Sequence, residues 1–199
     1  DYHSLAVKLC ASLDRVRAPH EFVAVPKLPG CWERNTMANA AQALAAMDRH
    51  PCKTIIWLDV DCEVRGDLRE LAEIRGDVGF FIHPRRRRNG RPKMHCRGGT
   101  IVLKPNAAAR RWVEAWAAAS ASAQYGDVDQ DAITLSLDTP GVMFEHLDAK
   151  WCCTKWDKCE APIVYHDSAS KTLPKISNTA RRLRMLARLV GRPWLEAAA

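Results

Sequence analysis

The 199-residue sequence lacks any apolar run close to the about 20 residues that a membrane-spanning helix requires. Its first residues, Asp1-Tyr2-His3-Ser4, lack the basic region and the apolar region of a signal peptide. No low-complexity tract dominates, and 47% of the residues are hydrophobic. These features exclude a membrane-spanning or fibrous chain and predict a globular protein with a sizeable core.

The sequence also lacks the C-x2–4-C pair that is typical of zinc sites, although it contains eight cysteines. Three cysteines cluster late in the chain with C-C and C-x5-C spacings, namely Cys152, Cys153 and Cys159. Cys10 and Cys62 lie in or beside predicted core elements, where a thiol behaves as a small hydrophobe. We therefore interpret the cysteines as reduced thiols, which is typical of a cytoplasmic protein.

The clearest functional motif is the stretch 54–61 (TIIWLDVD), a β-branched apolar run that ends in two acids. Such a run predicts a buried central strand, and residues i and i+2 of a strand point to the same side. Asp59 and Asp61 are then together at the carboxyl end of a strand, where open α/β sheets bind ligands. Two adjacent carboxylates favour a hard divalent cation, which usually also holds a phosphate. A phosphoaspartyl nucleophile and a simple turn cap remain alternatives.

Helical and strand patterns alternate along the chain. Helices are predicted at 2–17, 35–49, 66–74, 105–122, 129–137 and 178–190. Strands are predicted at 21–25, 54–58, 78–82, 99–103, 142–144 and 163–165, with a polar loop at 83–98. Alternation of this kind predicts an α/β fold with a mixed, mostly parallel sheet. Because nucleotide-binding βαβ folds normally open on a strand, a first strand is expected to be missing from this chain or supplied by a partner.

Positive charge is concentrated in two places. The formal net charge is +7, which suits anionic partners such as nucleotides, nucleic acid or acidic lipids. Arg85 to Arg88 are interpreted as a solvated loop, with a phosphate clamp or a contact with an anionic membrane as alternatives. The helix at 178–190 carries the second cluster and is amphipathic. We divide the chain into a catalytic domain at 1–177 and this basic helix and tail at 178–199.

Four motifs in a fixed order resemble the metal-dependent glycosyltransferases of the GT-A fold, especially the retaining galactosyltransferase and glycogenin-type family. They are 55–61 with 66–71, 98–106 with Trp112 or Trp116, 129–131 (DQD), and 164–166 (VYH) with Lys171. The resemblance extends over residues 20–172. It implies a GT-A fold and a hexosyltransferase that uses a nucleotide-sugar, with a UDP-sugar as the expected donor.

The resemblance also implies roles for individual residues. Asp59, Asp61 and His166 would hold Mn2+ or Mg2+, and Lys171 would add a positive charge to the donor diphosphate. Two catalytic candidates, Asp129 and Gln130, would lie near the donor sugar. The family often has a basic residue over the donor, and the nearest candidate here is Arg34.

Two other functions are weighed against this one. A haloacid-dehalogenase-type phosphatase would use Asp59 as its nucleophile, and 126–131 (GDVDQD) fits its acid motif. Glu63 argues against it, since Thr or Val is expected at that position. A non-catalytic nucleic-acid-binding module would explain the arginines but leaves the Asp pair unexplained.

The basic surfaces favour a glycan or lipid-linked acceptor, of the kind found on bacterial surfaces. No nucleic-acid partner is expected, because the sequence has no binding motif with interleaved aromatic residues. The expected location is the cytoplasm, and peripheral contact with the inner face of the membrane is a further expectation. A homodimer is left open.

Overall fold

The computed structural model describes residues 2–26, 35–86, 92–122, 128–157 and 159–167, with the backbone alone at 83–86 and 92–95. Within these ranges the helices are α1 (Tyr2–Arg15), α2 (Asn39–Arg49), α3 (Arg69–Ala72), α4 (Ala107–Ala121) and α5 (Asp129–Leu135). Two 3-10 turns follow, at Ser136–Asp138 and Ala149–Trp151. The predicted helix at 178–190 and the boundary at 177 lie outside the described residues and stay predictions.

The described strands form two sheets. They are β1 (Ile55–Leu58), β2 (Cys62–Val64), β3 (Val78–Arg86), β4 (Pro92–Leu103), β5 (Phe144–His146), β6 (Cys153–Thr154) and β7 (Val164–His166). One sheet has the order β1-β4-β3-β5 and the other the order β2-β7-β6. The mixed α/β architecture predicted from the sequence is therefore present.

The prediction of a mostly parallel sheet is wrong for the described strands. The pairs β1–β4, β3–β4 and β2–β7 are antiparallel, and β3–β5 and β6–β7 are parallel. The main cause is a hairpin of β3 and β4 in the stretch predicted as a loop at 83–98, and hairpin strands are necessarily antiparallel. The arginine run and the prolines of this stretch hide the alternation of apolar and polar residues on which a strand prediction depends, so the hairpin was not predicted.

Two further strand predictions differ from the structure. Residues 19–26 have neither helix nor strand, and Phe22, Val23 and Val25 are exposed there. The strand that carries the Asp pair, β1, is not central in the described sheet, since it pairs with β4 alone. A run of β-branched and aromatic residues indicates an extended backbone, but it does not specify a pairing partner.

Both faces of the four-stranded sheet are covered. On β4, Ile101 and Leu103 pack in a cluster with Trp112 of α4, whereas Val102 packs with Leu9 of α1. Adjacent strand residues point to opposite faces, so this alternation separates two helical layers. The layer with α2, α4 and α5 is rich in aromatic contacts, and the rings of Trp112 and Phe80 stack with centroids 5.9 Å apart. β4 therefore packs against helices on both of its faces.

None of the described helices combines the length and the apolar character needed to cross a membrane.

Candidate functional site

The Asp pair lies in a tight turn between β1 and β2. The backbone N–H of Asp59 donates to the carbonyl oxygen of Gly99 at 2.9 Å, which holds the end of β1 against β4. The N–H of Cys62 then donates to the carbonyl oxygen of Asp59 at 3.0 Å and reverses the chain. Both carboxylates are therefore presented at the junction of the two sheets.

His166 approaches the same turn from the carboxyl end of β7. It is opposite Cys62 in the antiparallel β2–β7 pair, and the N–H of Asp167 donates to the carbonyl oxygen of Asp61 at 3.1 Å. The imidazole Nδ1 lies 3.9 Å from Oδ1 of Asp61, and the His166 residue is only 6% exposed. Residues more than a hundred positions apart are thus brought together by strand pairing.

Two glycines of β4 make room for these side chains. A Cβ atom on Gly99 would lie 2.3 Å from Cε1 of His166 and 3.3 Å from Oδ2 of Asp59. A Cβ atom on Gly98 would lie 3.4 Å from Oδ2 of Asp129. Glycine is the residue that allows side chains to approach a backbone this closely. Asp129 therefore lies against Gly98, whereas Asp59 and His166 lie against Gly99, and these two glycines form the narrow floor of the site.

Asp129 is the first residue of α5 and is 7% exposed. Its Oδ2 accepts a hydrogen bond from Nδ2 of Asn39 at 2.9 Å, and its Oδ1 accepts one from the backbone N–H of Gln130 at 2.8 Å. The helix start is fixed by Asp131, whose carboxylate accepts from the N–H of Val128 at 3.2 Å. Gln130 is half-buried, and within the described residues its carboxamide makes no hydrogen bond.

The electrostatics of these acids are unfavourable. Burial, the charge of Asp129 and the charge of Asp61 raise the pKa of Asp59 to about 7, although His166 opposes the shift. Burial raises the pKa of Asp129 to about 6 despite the hydrogen bond from Asn39. In the described part of the chain, no lysine or arginine forms an ion pair with Asp59 or Asp129. Carboxylates in this state are favourable places for a cation.

His166 responds to the same charges. Burial disfavours its charged form, yet Cys62, Cys152 and the neighbouring carboxylate of Asp61 raise the pKa of His166 well above 6.5. Since burial also raises the pKa of the Cys62 thiol to about 12, that thiol is neutral near pH 7. The carboxylate of Asp61 is therefore the charge that stabilises the imidazolium, and a metal cation would replace that proton.

The donor atoms of Asp61, Cys62 and His166 lie within 4.8 Å of one another and could hold a metal ion. Asp61 and His166 are two of the three ligands predicted from the sequence, and Asp59 lies beside them across Gly99. Carboxylate and imidazole donors suit manganese, so the residues present fit the predicted ion.

Some site residues were not found from the sequence. Cys62 was interpreted as a core hydrophobe, yet it directly follows the D-x-D motif, which is a signal that points to the site. Asn39 and Thr100 contact site residues, but their partners are far away in the sequence. Lys171 and Arg34 lie outside the described residues, so their predicted roles stay predictions.

Comparison with protein families finds no match for this chain, and no curated protein sequence matches it. The fold is similar to a solved structure described as the crystal structure of a glycosyltransferase involved in the glycosylation of the major capsid of PBCV-1. The TM-score is 0.59 at 11% sequence identity, over 93% of this chain and 92% of that chain. At this identity the likeness shows a shared fold, which agrees with the glycosyltransferase-like architecture predicted from the motifs.

Proposed function

We propose that this chain is a glycosyltransferase that moves a sugar from a nucleotide-sugar to a glycan or lipid-linked acceptor with the help of Mn2+ or Mg2+. The observation that carries the proposal is the collection of Asp59, Asp61, Asp129 and His166 around the floor formed by Gly98 and Gly99. The fold shared with a glycosyltransferase supports it. A UDP-sugar is the expected donor, by resemblance of the motifs.

Asp61 and His166 would hold the metal, with Asp59 as the neighbouring carboxylate. A bound divalent cation supplies Lewis-acid stabilisation of the leaving nucleoside diphosphate. Asp59, whose pKa is raised to about 7, would bind such a cation in its ionised form and lose the unfavourable repulsion from Asp61. Lys171 and Arg34 remain the proposed counter-charges for the phosphates.

Asp129 and Gln130 would face the donor sugar. The carboxylate of Asp129 is oriented by Asn39, so its position does not depend on the substrate. It would bind sugar hydroxyls or stabilise positive charge that develops at the anomeric carbon. The half-buried carboxamide of Gln130 offers both a donor and an acceptor for sugar hydroxyls.

The acceptor would approach from the side of β6. Trp151 belongs to the core, whereas Trp156 is 52% exposed and follows Thr154, the residue of β6 that pairs with His166. An exposed aromatic ring two residues after a strand partner of His166 is suited to stack on a sugar ring. Peripheral binding to an anionic membrane through the basic segments belongs to the same proposal.

Calorimetry with Mn2+ and a panel of nucleoside diphosphates tests the proposal. We expect Mn2+-dependent UDP binding that is lost in Asp61→Ala and retained in Asp48→Ala, an exposed acid far from the site that pairs with Arg110. Absence of UDP binding in the presence of Mn2+, or equal binding by Asp61→Ala, would contradict it. Hydrolysis of a phosphate ester that depends on Asp59 would favour the phosphatase alternative.

A further inference from the structure

The thiol of Cys62 lies within the candidate site, and the proposed sugar transfer does not use it. Cys62 is 3% exposed, and its Sγ lies 3.2 Å from Nδ1 and 3.6 Å from Nε2 of His166. Sγ, a ring nitrogen of His166 and a carboxylate oxygen of Asp61 form the three-donor group within 4.8 Å. One sulfur, one nitrogen and one oxygen donor are a softer set than the predicted manganese site needs.

The distances in this group are close to those of a tetrahedral zinc site. Zn–S bonds near 2.3 Å and Zn–N or Zn–O bonds near 2.1 Å place ligand atoms about 3.4–3.6 Å apart. The separation of Sγ of Cys62 from Nδ1 of His166 is 3.2 Å, and that of Nδ1 from Oδ1 of Asp61 is 3.9 Å. Sγ is almost equally far from both ring nitrogens and therefore lies over the ring. Because the nitrogen lone pairs lie in the plane of the ring, the imidazole has to rotate to direct one of them at the metal.

A second contact favours one tautomer of the imidazole. The hydroxyl Oγ1 of Thr100, a fully buried residue of β4, lies 3.1 Å from Nε2 of His166. When Nε2–H donates to this hydroxyl, Nδ1 keeps its lone pair on the side of Cys62 and Asp61. Metal-binding histidines commonly have such a partner on the other ring nitrogen.

We propose that Asp61, Cys62 and His166 form a binding site for a thiophilic divalent cation, with Zn2+ as the expected ion. On binding, the Cys62 thiol and the His166 imidazolium each lose a proton to solvent, and an S–Zn bond and an N–Zn bond form. Thiolate selects Zn2+ or Co2+ over Mn2+ and Mg2+. Because Asp61 and His166 also belong to the proposed Mn2+ site, Zn2+ would compete with Mn2+ there, and this consequence rests on the proposed function.

Co2+ titration of the metal-free full chain, under anaerobic and reducing conditions, tests the site without any sugar donor. We expect a thiolate-to-Co2+ charge-transfer band that Zn2+ displaces and that is absent in Cys62→Ser. Cys96→Ser is the matched control, since Cys96 is a buried thiol in the other core cluster, and it should keep the band. A band that persists in Cys62→Ser, or no band in the natural sequence, overturns the proposal.

X-ray absorption of the Zn2+-loaded natural sequence gives a result that does not depend on the folding of a variant. One sulfur neighbour at about 2.3 Å is expected, together with nitrogen or oxygen neighbours at about 2.0–2.2 Å. Nitrogen and oxygen neighbours alone would overturn the proposal. Several sulfur neighbours would do so too, by placing the ion at the cluster of Cys152, Cys153 and Cys159.

Competition separates this inference from the proposed function. Zn2+ should abolish Mn2+-dependent UDP binding in the natural sequence, and Cys62→Ser should require at least about tenfold more Zn2+ for the same loss. A Co2+–thiolate band without UDP binding would leave this site intact and contradict the proposed function. UDP binding that Zn2+ does not affect, without a thiolate band, would contradict this site alone.

Discussion

Asp157 and Asp59 are both partly buried carboxylates, but among the described residues a guanidinium lies beside Asp157 and none lies beside Asp59. Arg97 binds Asp157 through two contacts, from Nη1 to Oδ2 at 2.6 Å and from Nη2 to Oδ1 at 3.0 Å, and both side chains are 14% exposed. Partial burial would raise the pKa of Asp157, yet hydrogen bonds from Arg97 and Thr154 hold that pKa well below its ordinary value. The pKa of Asp59 is shifted the other way, to about 7.

This difference distinguishes a structural acid, Asp157, from an acid that we propose to bind a cation, Asp59. The pair of Arg97 and Asp157 is satisfied within the protein, and Nη1 of Arg97 also donates to the carbonyl oxygen of Cys152 at 2.9 Å. It therefore fixes the segment 152–157 against β4. Arg97 is also the residue before Gly98, so the structural pair supports the floor of the candidate site. The ionised carboxylates beside that floor repel each other, and this repulsion remains unfavourable unless a cation binds between them.

The largest effect is expected for Gly99→Ala, which disrupts the site through its floor. The new Cβ atom would lie 2.3 Å from Cε1 and 2.6 Å from Nδ1 of the buried His166 ring, so the ring or the backbone would have to shift. We expect loss of Mn2+-dependent UDP binding by calorimetry and a decrease of about 2–3 kcal/mol in the free energy of unfolding. Gly66→Ala is the control, since its Cβ atom would meet only the side chain of Ile163, at 3.3 Å. Unchanged UDP binding by Gly99→Ala would show that the close approach is not needed.

Asp157→Asn removes the structural pair and is expected to lower the free energy of unfolding by about 2–4 kcal/mol at pH 7, because Arg97 keeps a partly buried charge without a partner. The folded-state pKa of Asp157 is below its ordinary value of 3.8, so its stabilisation is present above pH 3.8 and is lost as the pH falls. The two curves of stability against pH, from urea denaturation, should therefore converge in acid. The exposed pair of Asp48 and Arg110 is the control, and Asp48→Asn should change stability by less than about 0.5 kcal/mol. An equally small effect of Asp157→Asn would contradict the comparison.

Asp59→Asn is expected to change the free energy of unfolding of the metal-free protein in the opposite direction, towards higher stability. Because the folded-state pKa of Asp59 is raised from 3.8 to about 7, ionisation favours unfolding as the pH rises through this window. Removing the charge should increase the free energy of unfolding at pH 8 by about 1–3 kcal/mol, and the gain should vanish towards pH 4. Denaturation in the presence of a chelator at several pH values measures this. A less stable variant at pH 8 would mean that the folded protein already compensates the charge of Asp59.

The smallest effect is expected for Trp156→Ala. This variant tests whether the turn that Asp157 stabilises also binds the sugar acceptor. Thr154 N–H donates to Oδ2 of Asp157 at 2.7 Å, which fixes this turn while Trp156 stays exposed. We expect the KM for a glycan acceptor to rise roughly three- to tenfold, equivalent to about 0.5–1.5 kcal/mol of stacking. UDP binding should not change. Met143→Ala, at a residue that is 56% exposed, is the control, and an unchanged acceptor KM in Trp156→Ala would assign the acceptor to another surface.

Local patterns in the sequence predicted the elements that flank the site. The helix at 105–122 is observed as α4, and the amino-terminal helix as α1, because apolar residues at helical spacing bury one face whatever the partner. The hairpin of β3 and β4 was missed, since polar and proline residues obscure the alternation on which a strand prediction depends. The extended stretch at 21–25 has strand-like residues but no partner in the described chain, and pairing is a tertiary property.

By itself, the sequence determined that two acids follow an apolar strand, that a DQD motif opens a helix and that a histidine ends a late strand. Only the tertiary structure decided that these three places meet. It also placed Cys62 beside Asp61 and His166, and in the described part of the chain it gave Asp157 an arginine partner that Asp59 does not have. The physical reason is that a pKa and a metal site depend on burial and on distances in space. Residues 59, 129 and 166 are far apart in the sequence, and they become buried neighbours only when β4 and β7 are in place.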